Sequence, residues 1–188
     1  MNAQAAAVLD FWFAGSSTPR DVWFKKDSAF DALIGARFGP LVEEALGGGL
    51  ATWAHEADSA LAQVIVLDQF TRNIFRGTPR AFAGDALALA AAQAMVASGH
   101  DRQLPPLRRV FAYLPFEHAE DRATQRESLR LFAALSTVDA SLADFENSAR
   151  RHAEVIERFS RFPHRNAVLG RESTDYELQF LQQPGSRF

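Results

Sequence analysis

The chain has 188 residues, 47% of them hydrophobic and 23% charged, and a formal net charge of −3. This is the balance of an ordinary globular protein long enough to bury a core without a disulfide or metal staple, which excludes disordered and fibrous classes. The acidic balance opposes a general nucleic-acid binder, and the absence of cysteine removes disulfides, thiolate metal sites and cysteine nucleophiles.

From the N-terminus, Met1 to Gly15 lacks a basic leader and its apolar run stops at Asp10, so neither a signal peptide nor a membrane contact is expected, and the chain reads as cytoplasmic. Helical spacing recurs while strand-like alternation is almost absent, which predicts an all-α protein. Glycine and proline breaks leave helices near 3–13, 27–46, 59–76, 80–98, 105–113, 116–136, 142–160 and 174–183. Thr174 and Glu177 have capping-box spacing for the last of these. No linker divides residues 1–188, which read as one domain, and no self-similarity at about 34 residues marks a repeat array. The aromatic groups Phe11-Trp12-Phe13, Trp23-Phe24 and Trp53 read as core.

Four segments place polar residues on lines that periodicity turns inward. In Leu67 to Thr78, the apolar stripe Leu61, Val64 and Ile65 continues by threes and fours onto Asp68, Arg72 and Arg76, with Asn73 beside them. Charge on a core-facing line is costly unless it is paired or binds something. In Pro115 to Gln125, stepping back by sevens from Phe132 gives Gln125 and His118, which puts His118 in the first turn of the 116–136 helix with Glu120 and Asp121 near it. That position favours anions and a neutral imidazole. His152 lies on the stripe Leu142, Phe145, Ala149, Ile156 and Phe159. Finally, Arg161 to Thr174 crowds His164, Arg165, Asn166 and Arg171 around a short helix that Pro163 opens and Gly170 closes. Each segment also admits a structural role, as buried ion pairs or satisfied core histidines.

Taken in order, FWF at 11–13, LDQFTRNIFRGT at 67–78, LPFEHAED at 114–121 and RFPHRNAVLGREST at 161–174 resemble the mainly bacterial domain-of-unknown-function family 924, grouped with the tetratricopeptide-like helical superfamily. The resemblance runs from about Val8 to Leu181. It implies stacked antiparallel helix hairpins, about eight helices in all, and carries no activity or catalytic residue. Two positions depart from the family pattern: Thr71 stands where proline is usual, and Ser160 where glycine is usual.

The leading functional reading is a small-molecule site for an anionic group, phosphate or carboxylate. Arg72, Arg76, Arg165 and Arg171 would hold the anion, Asn73 and Asn166 would orient it, and His164 and Gln125 would line the cleft. His118 would act as general acid or base supported by Glu120 or Asp68; no nucleophile and no cofactor can be named. A metal variant would use His118, Glu120 and His152. The reading from a different class is a helical scaffold that binds a protein or peptide, with the polar motifs as internal struts.

Overall fold

The computed structural model describes residues 2–186, and among these no strand occurs. The helices are α1 (Ala3–Phe13), α2 (Ser28–Leu46), α3 (Ala57–Val64), α4 (Thr71–Ile74), α5 (Asp85–Ser98), α6 (Pro106–Glu117), α7 (Arg122–Val138), α8 (Ala143–Phe159) and α9 (Asp175–Leu181). α3 and α4 form one continuous rod, joined by a π-helical segment over Ile65–Phe70. Such wide turns are rare, and within helices they occur frequently at functional sites.

Local chemistry accounts for the boundaries. Asp27 and Asp121 accept first-turn amides at the starts of α2 and α7, and Thr174 and Glu177 form the expected capping box on α9. α5 ends at Gly99 with φ 74°, and α8 ends at Ser160 with φ 60°. Ser160 therefore occupies a left-handed cap that glycine would adopt without steric cost, which explains the residue usual there in the family.

The rod of α3 and α4 is the axis of the core. α1 and α5 pack on α3, α2 packs on the π turn and α4, and α5, α6, α7 and α8 pack each against the next. This succession, with short connections, fits stacked antiparallel hairpins. Trp12, Phe70, Phe111 and Tyr113 are among the largest fully buried side chains, and Trp12 lies 5.7 Å from Phe70 and 5.5 Å from Phe111. The predicted aromatic core is present, although Phe24 is 57% exposed.

Two boundaries differ from the sequence expectation. Pro115 does not break the chain: it lies inside the last turn of α6, where it costs at most one backbone hydrogen bond and is itself buried beside Leu114 and Phe116. The 80–98 stretch is a short 3-10 turn, Pro79–Phe82, followed by α5 after Gly84. Pro79–Ser98 is 20 residues long with mean hydropathy 1.4, enough by length and composition to cross a membrane. In the fold, Ala88, Ala92 and Met95 of this segment are buried, and α5 packs on α3 and α6.

Candidate functional site

The π turn buries a carboxylate. Asp68 is 0% exposed, and its Oδ1 lies 2.8 Å from His118 Nδ1 and 3.1 Å from Arg72 Nη1, while Gln69 Nε2 donates to Oδ2 at 2.6 Å. A carboxylate only accepts, so Nδ1 of His118 carries the proton and the ring's lone pair is at Nε2 when the imidazole is neutral. Burial opposes the ionisation of Asp68, but Arg72 and His118 outweigh it and hold its carboxyl well below the usual range. Burial also disfavours the imidazolium of His118, and with the repulsion of Arg72 it overcomes the pull of Asp68, so the ring titrates below its ordinary value.

His118 is not in a helix first turn. Because α6 continues through Pro115, His118 follows its last residue as the C-cap, and α7 begins only at Arg122. A helix C-terminus favours a charged histidine, the reverse of the expectation, so the neutral state rests on burial and Arg72.

Above the dyad, Arg72 Nη1 donates to Asp85 Oδ1 at 2.8 Å, and Arg165 Nη1 to Asp85 Oδ2 at 3.1 Å. Arg165 Nη2 donates to the carbonyl of His118 at 3.0 Å, and its Cζ stands 4.7 Å from the ring centroids of both Phe82 and Phe162. One donor on each arginine, Arg72 Nη2 and Arg165 Nε, is buried with no acceptor. Leaving a buried donor unmade costs about 1 to 3 kcal/mol, and such groups mark strain, a catalytic role or a place for a water or ion. Arg165 is the more burdened: burial, then the charge of Arg72, brings its pKa down to about 10.

The remaining residues divide into neighbours and outliers. Glu120 does not touch His118. It accepts Arg171 through both oxygens, at 2.6 and 2.9 Å, and the amide of Phe162 at 2.7 Å. Asn166 accepts from Arg171 Nε at 2.9 Å and donates to Ser173, so Arg171 and Asn166 are a brace between the Pro163–Arg165 turn and the start of α7. Gln125 is also a brace, donating to the carbonyls of Glu117 at 2.6 Å and Ala119 at 2.8 Å. Arg76 and Asn73 leave the cluster altogether. Both bind Asp31 of α2, Asn73 at 2.7 Å and Arg76 at 2.8 and 3.0 Å. α4 ends at Ile74 with Phe75 as its C-cap, so the helical step from Arg72 no longer places Arg76, whose side chain is 40% exposed.

The three histidines of the prediction meet in part. The rings of His118 and His152 are 6.3 Å apart, and His164 lies close enough for both to lower its pKa, to about 4, although burial and Arg165 contribute more. His152 Nδ1 faces Glu117 Oε1 at 3.0 Å and the Ser148 carbonyl at 2.9 Å. With Nδ1 of His118 turned to Asp68 and Glu120 taken by Arg171, the predicted metal set does not converge; among the described residues no group of three His, Asp or Glu is placed to hold a metal.

Sequence reasoning missed Asp85 and Glu117. Glu117 was detectable, since it continues the buried line Val110 and Leu114 as an acid on an apolar stripe. Asp85 reads as a first-turn helix acid, and nothing local ties it to arginines 13 and 80 residues away.

Two surface cavities, of about 310 and 370 Å³, lie along α7 and α8 and beside α5, α6 and α7, and neither is lined by Asp68, Arg72, Asp85 or Arg165.

The family described as a bacterial protein of unknown function, DUF924, matches residues 8–185. A solved structure, titled a protein of unknown function from Agrobacterium tumefaciens, is 41% identical and covers 96% of this chain and 97% of its own, with a TM-score of 0.87. No curated protein matches the chain. With nearly all of its length matched, the chain belongs to the bacterial family of unknown function DUF924.

Proposed function

We propose that the buried dyad of Asp68 and His118, roofed by Arg72 and Arg165, is a small-molecule site that binds an anionic group and moves a proton. The observation that carries this reading is the coincidence at one place of a carboxylate-oriented histidine, a π turn and two buried guanidinium donors with no acceptor. In the roles assigned, Asp68 fixes the tautomer, His118 Nε2 accepts or returns the proton, and the unused donors of Arg72 and Arg165 take the anion. Glu120, Arg171, Asn166 and Gln125 position these groups without touching the ligand.

A second reading has its own support. The charged residues are paired with one another, which favours internal struts in a scaffold that binds a protein or peptide elsewhere.

Thermal unfolding against a panel of small carboxylates, phosphates and nucleotides separates the two. A ligand at 100 times its dissociation constant adds about 2.7 kcal/mol, worth roughly 5 to 10 °C at this size. The site reading expects such a rise, lost in Arg165→Ala and in Arg72→Ala while circular dichroism stays helical. If no compound raises the unfolding temperature, or if a rise survives both substitutions, the site reading is wrong and the scaffold stands.

A further inference from the structure

Within the site reading above, we infer that the anion is a single carboxylate, and that it binds by displacing Asp85 from between Arg72 and Arg165. Asp85 is the first residue of α5, its side chain is 25% exposed, and its carboxylate bridges the two guanidinia. It already occupies the seat that an external carboxylate would take. Moving it outward frees one Nη1 donor on each arginine, beside the unpaired Nη2 of Arg72, enough for both oxygens of one carboxylate.

Charge sets the class. Arg72, Arg165 and Arg171 are paired with Asp68, Asp85 and Glu120, so these ion pairs together carry no net charge. Displacing Asp85 frees one positive charge for one negative charge. A phosphate dianion would bring a second negative charge beside Asp68, which is 0% exposed and cannot turn away. Phe82 and Phe162 lie 4.7 Å from Arg165 Cζ and leave its N–H groups for the ligand; that fork fits carboxylate and phosphate alike, so charge sets the class.

The test is nitrogen-15 NMR of the Arg165 side chain titrated with sodium acetate or sodium phosphate at constant ionic strength. Acetate should move the Arg165 guanidinium resonance saturably, and phosphate should not. Asp85→Asn should tighten acetate by about tenfold or more, because the internal competitor has lost its charge. If phosphate moves the resonance and acetate does not, the carboxylate inference fails while the anion site survives. If neither moves it, both fail. If acetate binds but Asp85→Asn leaves its affinity unchanged or weaker, the displacement is wrong. Should Asp85→Asn not fold, the comparison of acetate with phosphate on the unaltered protein still decides the ligand class.

Discussion

Consider Gly84→Ala, a change of one methyl group that does not touch any polar side chain of the site. Gly84 has φ −87° and ψ −9°, a conformation alanine adopts freely, so backbone preference does not forbid the substitution. Space does. A Cβ at Gly84 would lie 2.1 Å from the carbonyl oxygen of Leu67, 2.9 Å from its carbon and 3.3 Å from its Cα, all backbone of the π turn. Relief requires α5 to withdraw by roughly 1 Å, which carries Asp85 away from Arg72, now 2.8 Å distant. Overpacking of this kind costs about 1 to 3 kcal/mol or more, and alanine returns about 0.4 to 1 kcal/mol by restricting the unfolded chain. The net loss should be about 1 to 2 kcal/mol, a fall in unfolding temperature of roughly 2 to 8 °C. Urea unfolding followed by circular dichroism measures the loss, and the His118 ring resonances report whether the site moves with it. The contrasting change is Gly35→Ala in α2, where the new methyl would meet only Ile74 Cγ1 at 4.0 Å and should stabilise by about 0.5 to 1 kcal/mol. A loss below about 0.5 kcal/mol in Gly84→Ala would refute the claim that α5 seats directly on the π turn.

Three further outcomes follow from the same contacts. Ser160→Gly should raise stability by about 0.5 to 1 kcal/mol, because Ser160 holds φ 60° at the end of α8; an unchanged urea midpoint would deny that the cap is strained. Thr174→Ala removes the acceptor for the Glu177 amide and one half of the capping box on α9, and should cost about 1 kcal/mol by the same measurement. Acid should weaken the fold through His164, whose pKa falls from 6.5 to about 4 through burial and then the charges of Arg165 and His152, with Glu120 opposing and His118 adding. Between those two values the unfolded chain binds a proton that the folded chain refuses. Stability is therefore intact above pH 6.5 and declines as the pH falls, by at most about 1.4 kcal/mol per pH unit. In His164→Gln that part of the slope should vanish between pH 6.5 and 5, and an unaltered slope would show that His164 is not the group responsible.

How much of this was legible in the sequence depends on how far apart the partners are. Asp68, Arg72 and His118 were found because charge on an apolar stripe is expensive, and that signal is local. Arg76 falls off the stripe because α4 ends at Ile74, and no glycine or proline marks that end before Gly77. Thr71 shows what a closer reading could have used: its hydroxyl donates to the Leu67 carbonyl at 2.7 Å, immediately after the wide turn, where the family usually has a proline that has no amide to donate. Pro115 reads as a break, which would put His118 at a helix start, whereas a proline in the last turn of α6 costs little and gains burial. Asp85 and the tight approach of Gly84 to Leu67 are tertiary facts, and no spacing in the sequence carries them.

The central claim is that Asp68 fixes His118 with its proton on Nδ1 while burial and Arg72 keep the ring neutral. Long-range nitrogen-15 NMR of the imidazole tests it most directly, with Asp68→Asn as the comparison. The ring should be neutral at pH 7 and protonated on Nδ1, with a pKa below the ordinary 6.5, and should lose the fixed tautomer in Asp68→Asn. A ring protonated on Nε2, or one that titrates above 6.5, would contradict it.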